Sequence, residues 1–202
     1  MGGKNATETL AADEAGIARA ARALCEGAIV AVPSETVYGL AARADSREAV
    51  AKIYAAKGRP SFNPLIVHVC DVAQARELAQ FSDEALKVAK AAWPGALTLV
   101  LPVKAGARVA GAVTAGLQTI ALRCPAHPIM RALLERTGLP LAAPSANRSE
   151  AVSPTSAAHV HETLDGRVPV ILDGGECVPG PSLWRWRGQG RSGIYRNRDH
   201  SG

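Results

Sequence analysis

The sequence predicts an α/β fold, a single domain whose twisted, mixed β-sheet is flanked by helices. Apolar runs of five to seven residues recur along the chain, separated by segments with the spacing of amphipathic helices. The two kinds of segment mix irregularly, which favours a mixed sheet over a strict parallel βαβ array. A length of 202 residues with 48% hydrophobic residues suits one large domain with a substantial core.

The first elements follow from periodicity and capping residues. Residues 1–12 are polar and acidic, and we interpret them as a flexible leader. Residues 13–26 have helical spacing and stop at a glycine, and residues 28–32 are an apolar strand. Ser46 can cap a helix that runs to residue 56.

The remaining elements continue this pattern up to an Asp-Gly-Gly turn at residues 173–175. Strands are predicted at 65–70, 97–103, 119–123, 139–143 and 168–172, and helices at 71–80, 82–92, 128–137 and 155–164.

Composition argues against several classes of protein. No apolar run approaches the about 18 residues of a membrane span, and the N-terminus does not resemble a signal peptide. We therefore expect a cytoplasmic protein with no membrane partner. The four cysteines lack CxxC or Cys/His ligand spacing, so free thiols are expected and no metal site is indicated.

The net charge of +5 invites a nucleic-acid interpretation, but the charge is concentrated in one segment. Residues 178–202 hold five arginines and one acid, net +4, whereas the 177 residues before them are nearly balanced at +1. The basic character thus belongs to the end of the chain.

Three short polar segments follow apolar runs, as ligand-binding loops commonly do. They are residues 33–40 (PSETVYGL), residues 57–68 (KGRP followed by NPLIVH) and residues 144–147 (PSAN). Together they supply two cations, several hydroxyls, an amide and an imidazole. This set suits a nucleotide together with a small polar substrate.

Each candidate residue also has a structural interpretation. Lys57 and Arg59 could grip phosphate oxygens, or they could be a solvated helix end where cations are favoured anyway. Arg123 ends an apolar strand and could bind a substrate carboxylate or form a structural salt bridge. His68 could be a core histidine and Thr36 a turn residue.

The combination of these motifs resembles the YrdC/Sua5 family of threonylcarbamoyl-AMP synthases. Lys57 and Arg59 stand as the family's Lys-x-Arg motif, and Ser145 and Asn147 stand as its Ser-x-Asn motif. The resemblance implies catalytic roles for the first pair and a YrdC-like domain over residues 13–180. It implies ATP contacts from Lys57, Arg59, Asn63, Thr119, Ser145, Asn147 and Ser153, and threonine contacts from Thr36, His68, Arg123 and Ala143.

The same resemblance implies the reaction and the partners. L-threonine, bicarbonate and ATP would give threonylcarbamoyl-AMP and pyrophosphate, with Mg²⁺ accompanying ATP, in a nucleotidyltransferase step of tRNA modification. The product would pass to a downstream tRNA threonylcarbamoyltransferase complex. Contact with tRNA or double-stranded RNA is a further expectation.

The match stops near Gly180, where Leu183 stands in place of a serine that contacts threonine in the family. Residues 181–202 lack strand or helix periodicity, and we interpret them as an atypical basic tail. One hypothesis is a shift of reading frame near Gly180. The other is an RNA-contacting tail with Trp184 and Trp186 as stacking groups, which favours a non-catalytic nucleotide- or RNA-binding protein.

Overall fold

The computed structural model describes residues 6–58, 63–149, 151–177, 184–187 and 193–196; in the last two segments Trp186 is the side chain that it describes. The predicted α/β class is confirmed. Within these described residues, ten strands form one mixed sheet in the order β1-β8-β2-β3-β7-β4-β6-β5-β9-β10.

The strands are β1 (Glu8–Ala11), β2 (Val30–Val32), β3 (Gly39–Arg43), β4 (Ile66–His68), β5 (Leu97–Pro102), β6 (Thr119–Arg123), β7 (Leu141–Ala142), β8 (Val170–Asp173), β9 (Trp184–Arg187) and β10 (Gly193–Arg196). The helices are α1 (Glu14–Cys25), α2 (Arg47–Lys57), α3 (Val72–Leu78), α4 (Asp83–Ala92), α5 (Gly111–Thr114), α6 (Pro128–Thr137) and α7 (Ala157–Leu164).

The sheet mixes parallel and antiparallel pairs. β1 and β2 lie parallel to β8 on its two sides, and β4 lies parallel to β6. β3, β7 and β4 are successively antiparallel, and so are β6 and β5. Polar segments that are far apart in sequence therefore meet near the middle of the sheet.

Helices cover both faces of the sheet. Along β2, Val30 and Val32 pack with buried residues of α1 and α6, whereas Ala31 joins the core on the opposite face. That second face is covered by α2, α3, α4, α5 and α7. The period of two in a strand thus assigns alternate residues to two separate cores.

Two of the helices that precede polar segments begin and end within one residue of the predicted positions. Asp13 caps α1 by accepting a hydrogen bond from the Gly16 amide at 2.8 Å, and Ser46 caps α2 in the same way. α2 ends at Lys57 and is followed by its C-cap Gly58, whose φ of 59° lies in the left-handed region that glycine tolerates best. In the described part of the chain, no helix is long and apolar enough to cross a membrane.

At residues 8–11 the structure corrects the interpretation of residues 1–12 as a flexible leader; residues 1–5 lie outside the described residues. Glu8–Ala11 is strand β1, and it pairs in parallel register with β8 from Val170 to Asp173. Two further elements, β3 and α5, were not predicted. All three are short, and β1 depends on a partner strand about 160 residues away in sequence, which no local pattern reveals.

The structure also corrects the interpretation of the basic tail as lacking strands. β9 runs parallel to β5 with Trp186 opposite Leu99, and β10 pairs with β9. Trp186 is 3% exposed and belongs to the core, so it is not a surface group for stacking on bases. The side chain of Trp184, Leu183 and the proposed frame change near Gly180 lie outside the described residues, and the domain boundary there stays a prediction.

Truncation of Leu122 tests how much the hydrophobic core stabilises the protein. Leu122 is fully buried in β6, so we expect Leu122→Ala to lower the free energy of unfolding by about 2–5 kcal/mol through lost burial and a residual cavity. Leu117→Ala is the matched control, because Leu117 is 53% exposed and its truncation should cost less than about 1 kcal/mol. Urea denaturation of the variants measures both values, and equal losses would contradict this account of the core.

Candidate functional site

The first and third polar segments are joined by backbone hydrogen bonds. The Leu40 amide donates to the Pro144 carbonyl at 2.7 Å, and the Ala146 amide donates to the Tyr38 carbonyl at 2.7 Å. These bonds extend the antiparallel pairing of β3 with β7 beyond the end of β7. The loop that carries Ser145 and Asn147 is therefore aligned by the sheet itself.

The second segment is attached to the third through Lys57, the last residue of α2. Its side chain is 3% exposed, and Nζ donates to the backbone carbonyls of Ser145 and Asn147, the latter at 2.6 Å. The Ser149 amide donates in return to the Lys57 carbonyl at 3.0 Å. The interpretation of Lys57 as a solvated helix end is wrong, because this ammonium is buried against the Ser-x-Asn loop.

Beside Lys57, two buried polar atoms have no hydrogen-bond partner among the described residues. The Asn147 amide nitrogen donates to the carbonyls of Arg148 and Ala151, at 2.8 and 2.6 Å, but its Oδ1 accepts no hydrogen bond. Ser149 Oγ is also unpartnered. Buried polar atoms are rarely left so, and a bound molecule would satisfy both.

Tyr38 ties the first segment to the Asp-Gly-Gly turn. Its hydroxyl donates to the Gly175 carbonyl at 2.8 Å and accepts from the Gly174 amide at 3.2 Å. Burial, together with the nearby Asp173 carboxylate, raises the pKa of Tyr38 to about 12. A Cβ on Gly174 would lie 2.8 Å from Pro33 Cγ. Only glycine therefore allows the Asp-Gly-Gly turn to lie so close to Pro33.

A second cluster of polar residues lies in one row across three neighbouring strands of the sheet. Arg123 of β6 has His68 of β4 and Thr98 of β5 as its cross-strand partners on either side. All three side chains are buried, at 3%, 5% and 0% exposed respectively. Residues in register across neighbouring strands share a face, so cation, imidazole and hydroxyl lie side by side.

Of the two roles that the sequence allowed for Arg123, the structure shows the salt bridge, and its partner is Glu35. Arg123 Nη2 lies 2.9 Å from Glu35 Oε2, and Nε donates to the Gly95 carbonyl at 3.1 Å. Glu35 Oε1 accepts from the amides of Ala126 and His127, at 2.7 and 3.3 Å.

The ion pair shifts the pKa of both partners. Burial alone would raise the pKa of Glu35, but Arg123 and the backbone donors outweigh burial and lower it. Burial lowers the pKa of Arg123, and the Glu35 carboxylate opposes that effect. Both groups are charged at neutral pH.

His68 is buried, but it is not a fully satisfied core histidine. Its Nδ1 has no hydrogen-bond partner within the described ranges. Burial, reinforced by the neighbouring Arg123 charge, lowers the pKa of His68 to about 3. The imidazole is therefore neutral at physiological pH, and the buried Nδ1 is available to a ligand.

The other predicted site residues differ in exposure and in the hydrogen bonds that they make. Thr36, Thr119, Ser145 and Ser153 are partly buried, and their hydroxyls make no hydrogen bond to any described residue. Asn63 accepts from the Tyr54 hydroxyl through its backbone carbonyl, at 2.7 Å. The Ala143 amide donates to the Ile66 carbonyl at 3.1 Å. Arg59 lies outside the described residues, and Thr119 lies at the end of β6 opposite to Arg123.

The sequence interpretation did not select Glu35, Thr98 or Ser149 as site residues. Two of them could have been identified from the sequence, because Glu35 stands next to Thr36 inside a polar segment and Thr98 alternates with the core leucines of β5. Ser149 could not, because its position beside Lys57 follows from a tertiary hydrogen bond.

The described residues offer no resident metal site: no group of three or more His, Cys, Asp or Glu side chains among them could hold an ion. All four cysteines are free thiols.

Known proteins share both the sequence and the fold. The Sua5/YciO/YrdC family profile, described as telomere recombination, matches residues 22–182. The threonylcarbamoyl-AMP synthase of Bacillus subtilis is 53% identical over 170 residues, which are 84% of this chain and 49% of that protein. The protein of the same name from Halorhodospira halophila is 36% identical over 186 residues, 90% of this chain and 94% of that protein.

A solved structure agrees with these matches. The crystal structure of P. abyssi Sua5 complexed with L-threonine superposes with a TM-score of 0.87 at 44% identity, covering 92% of this chain and 55% of that one. The chain thus spans about half the length of the B. subtilis and P. abyssi relatives.

His68 makes stability depend on pH. The unfolded chain takes up a proton at this histidine near pH 6.5 and the folded protein only near pH 3, so stability falls as the pH falls through this window. Between pH 7 and pH 5 we expect the wild type to lose about 2 kcal/mol more than His68→Asn does.

Urea denaturation at the two pH values measures the difference. Identical pH dependence in His68→Asn and the wild type would refute the burial of a neutral imidazole.

Proposed function

Because the chain belongs to the Sua5/YciO/YrdC family, we propose that it forms threonylcarbamoyl-AMP and pyrophosphate from L-threonine, bicarbonate and ATP. The observation that carries this proposal is the contact of Lys57 Nζ with the carbonyls of Ser145 and Asn147. This contact unites the Lys-x-Arg and Ser-x-Asn motifs in one place. The names of the relatives support the same activity.

The nucleotide would lie against the Lys57 side of the site. The Lys57 ammonium is buried and held by backbone carbonyls, so it supplies a positioned charge for phosphate oxygens. The planar guanidinium of Arg59 would add bidentate contacts. The hydroxyls of Ser145 and Ser153 are available as donors to the nucleotide. We assign Asn63, Thr119 and Asn147 to the same ligand.

The amino acid would lie against the row formed by His68 and Arg123. The guanidinium suits its α-carboxylate, and the neutral imidazole can hydrogen-bond through the unpartnered Nδ1. Thr36 and the backbone at Ala143 complete the proposed threonine contacts. The P. abyssi relative, whose solved structure holds L-threonine, supports a threonine site in this fold.

The chemistry then requires two bond-forming steps. The amine of threonine attacks bicarbonate carbon, and loss of water leaves an N-carboxylate. One oxygen of that carboxylate attacks the α-phosphorus of ATP, and the bond from this phosphorus to the pyrophosphate oxygen breaks. No side chain need act as a nucleophile, so positioning and charge neutralisation would supply the rate enhancement.

Mg²⁺ belongs to this proposal as part of the substrate Mg–ATP. Phosphate oxygens and water are the ligands that this ion prefers, and they leave the protein to bind the phosphates through Lys57 and Arg59. We further propose that the protein works in the cytoplasm and that its product is passed to a tRNA threonylcarbamoyltransferase. Direct contact with tRNA is a finer expectation of the same proposal.

Pyrophosphate release tests the function. We expect release from ATP, Mg²⁺, bicarbonate and L-threonine that stops when threonine is omitted. Lys57→Met and Arg59→Ala should each lower the rate by about 10²–10³-fold, because each removes a fixed charge at the triphosphate. Lys87→Met is the control; Lys87 is exposed on α4, and its loss should leave the rate unchanged.

The opposite result would identify a different class of protein. If the folded wild type binds ATP, for example in a fluorescent-nucleotide assay, but releases no pyrophosphate with threonine, the synthase proposal is wrong. The non-catalytic nucleotide-binding alternative would then hold. Binding of RNA that weakens steeply with salt would extend that alternative to RNA.

A further inference from the structure

We propose that Glu35 is a positioning residue that holds two threonine-binding elements, Thr36 and Arg123, in fixed relation through one carboxylate. The inference rests on the proposed function, since it concerns the amino-acid side of that site. It assigns Glu35 no contact with the reacting atoms.

The first part of the argument concerns Arg123. Its guanidinium is almost completely buried, and the described residues offer it two partners, the Gly95 carbonyl at Nε and Glu35 Oε2 at Nη2. Glu35 is the only one of these partners that carries a charge. A buried cation needs such a counter-charge to remain in place.

The second part concerns the loop between β2 and β3. Glu35 belongs to that loop, and its Oε1 accepts from the amides of Ala126 and His127, just before α6. The carboxylate thus attaches the loop to the chain segment that follows β6. Thr36 is the next residue along the chain, so its position is set by the same anchor.

A different role for Glu35 would be to compete with a substrate carboxylate for Arg123. The geometry favours positioning, because Oε1 accepts hydrogen bonds from two backbone amides. The carboxylate is therefore held by these amides as well as by Arg123. The guanidinium also retains Nη1, which donates to no described residue. Arg123 can therefore keep Glu35 and still present one edge to a ligand.

Glu35→Gln tests the inference, since it keeps the shape and removes the charge. We expect the KM for L-threonine to rise at least about tenfold, while the KM for ATP stays within about twofold. Glu35→Asp restores the charge and should recover part of the threonine affinity. Glu135→Gln is the matched control, because it removes the exposed Arg131–Glu135 ion pair and should change neither constant.

Three outcomes would overturn the inference. They are an unchanged KM for threonine in Glu35→Gln, a parallel rise in both KM values, and a lower KM for threonine, which would mark Glu35 as a competitor. Near-ultraviolet circular dichroism confirms that the variant keeps its tertiary packing.

Calorimetric titration with L-threonine alone separates this inference from the proposed reaction. If the wild type binds threonine and Glu35→Gln loses about tenfold in affinity, the positioning role stands even where no pyrophosphate is released. If pyrophosphate is released and the variant binds threonine as tightly as the wild type, the reaction stands and the positioning role is refuted.

Discussion

The double pairing of β7 is the constraint on which the molecule depends. This strand is two residues long, yet it pairs with β3 on one side and β4 on the other. It joins the part of the sheet that contains β1, β8, β2 and β3 to the part that contains β4, β6, β5, β9 and β10. Because the Ser-x-Asn loop follows β7 directly, the position of that loop is set by the strand pairs at the junction. The first polar segment leads into β3 and the second into β4, so the same pairs bring all three segments together.

Three potential cations are buried around this junction, and each avoids an uncompensated charge differently. Lys57 donates to two backbone carbonyls. Arg123 pairs with a carboxylate. His68 remains neutral, because burial beside Arg123 lowers its pKa to about 3. Groups arranged in this way are oriented before any ligand arrives, which reduces the reorganisation needed when anionic groups bind.

The elements that the sequence predicted well are those whose signals are local. α1 was predicted from its helical spacing and the glycine that follows it, and α2 from the Ser46 cap, whose side chain bonds to an amide three residues away. The edge strand β1 and the strand β9 were missed. Each is four residues long and is stabilised by a partner that is distant in the chain, so neither has a strong periodicity of its own.

For the site, the residue types and motifs can be identified from the sequence, and through them the family. Which of those residues lie in contact depends on the tertiary fold. The fold places Lys57 inside the protein, pairs Arg123 with Glu35 and gives Nδ1 of His68 no partner among the described residues. Strand register and burial determine these contacts. Both bring together segments that are far apart in the chain, as the separations of 88 and 90 residues between Lys57 and its acceptors illustrate. No local pattern of residues encodes such distances, because they exist only after the sheet has assembled.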